Sequence, residues 1–65
     1  MALFLLTDTK TGRTIRTLPQ GTKETAAIET LVASRGAVTL VKREGPEVVA
    51  EMDAVNGTIA DVRVF

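Results

Sequence analysis

The side chains best suited to chemistry in this chain are three carboxylates: Glu51, Asp53 and Asp61. Glu51 and Asp53 are two residues apart, so within a strand they share one face. With Asp61 expected opposite Glu51 on a neighbouring strand, the three form a cluster. Such a cluster can hold a hard divalent cation or divide acid and base roles between its members. It can equally be a solvated sheet face whose repulsion is relieved by a nearby cation. Arg63 lies two residues beyond Asp61 and is suited to that task, so the second reading is preferred.

Other routes to catalysis are poorly supplied. The chain has no histidine and no cysteine, which removes the commonest general base and the thiolate nucleophile. The single serine, Ser34, falls near the end of a helical segment with nothing to activate it. The threonines read as strand and turn residues. No glycine spacing matches a phosphate-binding loop. The expectation is a protein that is not an enzyme and uses no cofactor and no metal.

A second set of polar residues suggests binding. Lys10, Arg13 and Arg16 fall on one predicted hairpin, and Lys42 and Arg43 end a later strand. A basic ribbon can follow phosphates, so these five are candidates for contact with an anion or a nucleic acid. Zero net charge, a pI near 6.1 and only two aromatic residues weigh against that reading, particularly against stacking on single strands. Charge is nonetheless split along the chain. Residues 1–43 carry a net +4 and residues 44–65 a net −4. The plain expectation is that the two parts pair within one fold or across a symmetric dimer.

The elements that position these residues are marked by glycine and proline. Gly12, Pro19, Gly21, Gly36, Gly45-Pro46 and Asn56-Gly57 all fall between apolar segments. They divide residues 1–65 into one α+β domain of ββαβββ order, with one helix on a mainly antiparallel sheet. Strands are expected over about 2–7, 13–18, 37–42, 48–54 and 58–65, and a helix over about 23–34. Thr22 is the expected N-cap. Ile28, Leu31 and Val32, flanked by Ala27, form the apolar stripe of the helix. For the Asn56-Gly57 hairpin, a three-residue loop with Gly57 as a bulge is preferred over a two-residue loop. It pairs Ala50 with Val62, Met52 with Ala60 and Val48 with Val64, which makes one face apolar and leaves the charged residues on the other, with Ile59 and Phe65.

The first strand is apolar on both faces, with Leu3 and Leu5 on one and Phe4 and Leu6 on the other. The third, with Val38 and Leu40, is nearly so. A helix of about three turns covers only one face of a sheet, and buried apolar area is worth roughly 25 cal/mol per Å². A second cover is therefore expected, from curvature into a partial barrel or from another copy of the chain. Leu3, Phe4, Leu5, Leu6, Val38 and Leu40 are the sheet candidates for self-association. Ala26, Thr30 and Ala33, a smooth ridge on the helix, are further candidates.

The segment Thr9-Lys10-Thr11-Gly12-Arg13-Thr14-Ile15, followed by a helix starting near Thr22, resembles the opening hairpin and helix of ubiquitin-like β-grasp domains. The likeness covers roughly the first half and implies a scaffold for protein binding. The ending Val62-Arg63-Val64-Phe65 lacks the Gly-Gly that conjugation or sulfur carriage needs. The Asn56-Gly57 hairpin departs from the simplest form of that fold.

The sequence thus points to a non-catalytic regulatory protein acting through protein contacts and self-association. A nucleic-acid-binding regulator using the basic hairpin is the first alternative, and a structural subunit of a larger assembly the second. Small size suggests an accessory inhibitor of the kind encoded by phages or mobile elements. The apolar start ends at Thr7-Asp8, too early for a signal peptide, and no run is long enough to span a membrane. A cytoplasmic location is expected.

Overall fold

The computed structural model describes residues 1–65. The elements follow as β1 (Ala2–Asp8), β2 (Thr14–Thr17), α1 (Glu24–Val32), β3 (Ala37–Glu44), β4 (Glu47–Val55) and β5 (Thr58–Val64). The strands form one sheet of order β2-β1-β3-β4-β5, antiparallel at every pair. A hairpin followed by a helix opens the chain. The sheet stays open, with β2 and β5 as its two edges. No helix is long and apolar enough to cross a membrane.

The first hairpin turns on Asp8 and Gly12. Asp8 Oδ1 accepts the backbone N–H groups of Lys10 (2.8 Å) and Thr11 (3.2 Å), and Gly12 N–H donates to the Asp8 carbonyl (2.8 Å). Gly12 sits at φ +74°, a conformation that favours a residue without Cβ.

Helix α1 is shorter than its sequence pattern suggests, and its N-cap is Lys23, with no side-chain cap. Thr22 is engaged elsewhere. Its hydroxyl and its N–H both donate to the Pro19 carbonyl, closing a turn before the helix begins. The helix meets the sheet through Ala27 and Leu31, both fully buried, whereas Val32 is 44% exposed. The stripe is therefore rotated from the one centred on Ile28, Leu31 and Val32. Small Ala27 lets the helix approach the sheet closely.

Phe4, Leu6, Leu18, Val38, Leu40 and Ala54 complete the core with these two helix residues. Cross-strand pairing explains the set. Leu6 lies opposite Leu40, which lies opposite Met52, which lies opposite Val62. The alternate row, Leu5–Val41–Glu51–Arg63, faces away from the helix.

The last hairpin differs from the expected register. Asn56 (φ 48°) and Gly57 (φ +82°) form a two-residue turn with both central residues left-handed, and Val55 pairs with Thr58. Primed turns of this kind match strand twist. The extra residue is not in the loop. It enters β5 as a bulge between Ile59 and Asp61, where the register shifts opposite Asp53 and Ala54. The bulge restores the facial sorting that a plain two-residue hairpin would lose: Ala50 pairs with Val64 and Met52 with Val62, while Glu51 pairs with Arg63 and Asp53 with Asp61. Ile59 pairs with Ala54, on the apolar face rather than the charged one. Asn56 fixes the turn against the loop after α1, since its N–H donates to the Gly36 carbonyl (3.0 Å) and its Oδ1 accepts the Gly36 N–H (2.8 Å).

Candidate functional site

Two surfaces gather the polar and apolar residues not used by the core, and both are built on β4 and β5. On the face away from the helix, Arg63 holds all three carboxylates. Its guanidinium lies 2.8 Å from Asp53, 2.7 Å from Asp61 and 3.0 Å from Glu51. Asp53 accepts from two guanidinium nitrogens, at 2.8 and 2.9 Å, a forked arrangement suited to Arg. Behind it, the Thr39 hydroxyl donates to Asp53 Oδ1 (2.7 Å). That proton is committed, so Thr9 Oγ1, 2.8 Å from Thr39 Oγ1, is the donor between those two. Thr39 is itself buried. A polar chain thus runs Thr9–Thr39–Asp53–Arg63, from the turn after β1 across β3, β4 and β5.

The electrostatics follow from this geometry. The hydrogen bonds from the Arg63 guanidinium hold the Asp53 carboxyl below the usual carboxylate range, against the opposing effect of burial, with Thr39 adding to the lowering. The same contacts, with Asp53 first, raise the Arg63 pKa above its already high value. A carboxylate held ionised in this way cannot donate a proton at neutral pH. The guanidinium sits where a cation would have to sit, and no group of three or more acidic side chains is arranged to hold a metal ion. The contacts tie β5 to β4 through Arg63 and β4 to β3 through Thr39.

The second surface lies on the helix side. Because α1 sits over β1 and β3, it leaves β5 bare. A groove of about 110 Å³ runs between Ile28 of the helix and Val62 and Val64 of β5, with Ala50 and Met52 as its floor. Glu24 and Lys42 close one rim with an ion pair of 3.6 Å. Pockets that hold small metabolites are about 300–1,000 Å³, so this groove takes no more than a side chain or two. Beyond it, Val62 is 53% exposed and Val64 80%, and Phe65, next after β5, is exposed as well.

The candidate self-association residues divide accordingly. Phe4, Leu6, Val38 and Leu40 are buried under α1 and are unavailable to a partner. Leu3 and Leu5 lie on the opposite face, half-buried, beside buried Val41. Ala26 and Ala33 are exposed, and Thr30 turns its hydroxyl to the Ala26 carbonyl (2.9 Å). Of the exposed apolar residues, which include Ile15 on β2 and Val55 on β4, the largest group is on β5 and just beyond it, Ile59, Val62, Val64 and Phe65, none of them singled out as contacts from sequence. A signal for it existed: a two-sided apolar β1 predicts surplus apolar area, but only strand order shows that the surplus falls at the far edge.

The five candidate basic residues do not converge. Lys10 and Arg13 flank the β1–β2 turn, at the opposite end of the sheet from Lys42 and Arg43, since Asp8 pairs with Val38 and Leu3 with Arg43. Five residues of strand, about 17 Å, separate these ends. Lys42 faces the helix side, paired with Glu24, and Arg43 reaches the Pro46 carbonyl from the other face. Arg16 lies opposite Leu6 on the edge strand. The acidic and basic parts of the chain are likewise not joined: Lys42–Glu24 lies within residues 1–43 and the Arg63 pairs within residues 44–65. The charge split survives folding as a gradient across the sheet.

The chain matches no protein-family model, and no curated protein or solved structure matches it.

Proposed function

We propose that the chain is a non-catalytic binding domain that acts through protein–protein contacts and associates with itself. The observation that carries this reading is the β5 edge. It is a seven-residue strand with one side unpaired, bordered by exposed Val62, Val64 and Phe65. Long apolar edges are templates for pairing with another chain, and monomeric proteins usually blunt them with charge, proline or a cover. The other edge is so blunted: β2 has four residues, ends before Pro19 and carries Arg16. β5 is not. An accessory or regulatory role follows from such a surface, since the domain offers a contact and no chemistry. The nucleic-acid reading draws less support, because its five cations are dispersed.

Size-exclusion chromatography with light scattering tests this. A mass above that of one chain, rising with protein concentration, is expected. A compact monomer at high micromolar concentration overturns the self-association. Binding of mixed-sequence duplex DNA or RNA that weakens steeply with salt would favour the nucleic-acid alternative instead.

A further inference from the structure

The proposed self-association can be given a partner strand and a register. We propose that two copies join through β5 alone, antiparallel about a two-fold axis at Val62, making one continuous ten-stranded sheet. This rests on the self-association reading and deepens it.

The backbone decides which registers exist. Phe65 N–H donates to the Val49 carbonyl of β4 (3.0 Å). Backbone groups of alternate residues point to alternate sides of a strand. Arg63 and Asp61 therefore turn theirs toward β4, and Val62 and Val64 turn theirs outward to the free edge. An isologous antiparallel pair must place outward residues opposite outward residues.

Charge then selects among the registers. A two-fold axis at Asp61 sets two carboxylates face to face, and one at Arg63 sets two guanidinium groups face to face. Like charges directly opposite are destabilising. An axis at Val62 sets Asp61 of each copy opposite Arg63 of the other, at a narrow, non-hydrogen-bonded position where side chains approach most closely. It also sets Ala60 opposite Val64 and Val62 opposite itself, so the exposed apolar residues of the helix-side face meet. In this register the ladder runs from Ile59, opposite Phe65, and leaves Thr58 outside it. Axes beyond these two positions shorten the overlap and leave charges unpaired. The remaining carboxylates, Glu51 and Asp53, lie one strand inward, farther from the axis than the pair that meets across it.

Symmetry closes the assembly at two. The alternative of β5 pairing with β2 of another copy is head-to-tail and open-ended, and the four residues of β2 offer a shorter ladder. In the dimer both β5 edges are gone, and the exposed edges that remain are the two short, basic β2 strands.

The test uses sedimentation velocity on the whole chain and two substitutions at position 62. Wild type should be a dimer that dissociates on dilution. V62P removes an outward N–H that makes no bond within the chain, so far-UV circular dichroism should be unchanged. The dimer dissociation constant should rise about 30-fold, from one hydrogen bond lost per copy. The chain has no cysteine, so V62C carries a single thiol. Residues in a hydrogen-bonded pair are about 5.5 Å apart at Cα, within disulfide reach. V62C should therefore form a covalent dimer on mild oxidation, and I15C, on β2, should not. A wild-type monomer overturns both this proposal and the reading beneath it. A wild-type dimer in which V62P still dimerises and V62C fails to cross-link overturns the β5 register and leaves self-association standing. Concentration-dependent polymers cross-linked through I15C would assign β2 to the interface and overturn it likewise.

Discussion

The turn that sets β5 in place should be the least tolerant glycine position in the chain. Gly57 lies at φ +82°, and a Cβ built there would fall 2.5 Å from the Val32 carbonyl oxygen, the last residue of α1. Gly12 has a similar φ of +74°, but a Cβ there meets nothing within 4 Å. Both G12A and G57A carry the penalty of a left-handed alanine, about 1–2 kcal/mol. Only G57A also forces a backbone contact apart. The carbonyl cannot move without unwinding the helix end, so the hairpin must move. That motion breaks the two hydrogen bonds between Asn56 and Gly36, worth about 1 kcal/mol each. G57A should therefore cost about 2 kcal/mol more than G12A. In a domain of this size each kcal/mol shifts Tm by roughly 4–8 °C, so its Tm should lie roughly 8–16 °C below that of G12A. Thermal unfolding followed by circular dichroism measures both, at one protein concentration because dimerisation raises Tm by mass action. Equal melting temperatures for the two variants would refute the close approach of turn and helix.

Two further outcomes follow from single sites. Asp53 is held below its ordinary pKa in the folded state by Arg63 and Thr39, so its contribution to stability is full above the unfolded carboxylate value, near 3.8, and is lost as pH falls through the lower folded value. Urea midpoints should therefore decline below about pH 4, and D53N should flatten that decline while lowering the midpoint at pH 7; an unchanged acid limb in D53N would place the acid sensitivity elsewhere. Lys23 is an N-cap without a side-chain acceptor, so K23D, which supplies one and complements the helix dipole, should stabilise the chain by about 1 kcal/mol in urea titrations, whereas T22A should leave the helix cap unaffected.

Element order was legible because each glycine and proline does one job. Gly12, Gly36, Asn56 and Gly57 all sit at positive φ between elements, and no element contains a proline. Facial sorting of β4 and β5 was legible too, since burial rewards only one arrangement of Ala50, Met52, Val62 and Val64 against Glu51, Asp53 and Arg63. What sorting does not specify is where the extra residue goes. A loop bulge at Gly57 and a strand bulge at Ala60 both keep Val62 and Val64 apart from Asp61 and Arg63, differing in the pairing and in the face given to Ile59, and the choice falls to the Asn56–Gly36 clamp, a contact between residues twenty positions apart. The Thr22 cap failed for a local reason of the same kind: Pro19 offers its carbonyl to the same hydroxyl first.

The location of the open apolar surface was the deeper miss, and strand order explains it. From sequence, β1 and β3 carry the surplus, because both are apolar on alternate residues in two directions. In the sheet they are the inner strands under α1, so Phe4, Leu6, Val38 and Leu40 are covered first. Even on the far face Val41 is buried. The short helix runs out over β4, and the shortfall is displaced to β5, whose Val62 and Val64 look unremarkable in a strand that also carries Asp61 and Arg63. Those two charges are what make the edge specific rather than merely adhesive. An edge of valines alone would accept any register and any strand. Asp61 and Arg63, two apart and of opposite sign, accept an antiparallel copy of themselves in one register and oppose its neighbours. The same Arg63 gathers Glu51 and Asp53 within its own chain, so the residue that orders the β4–β5 hairpin also defines what that hairpin can pair with.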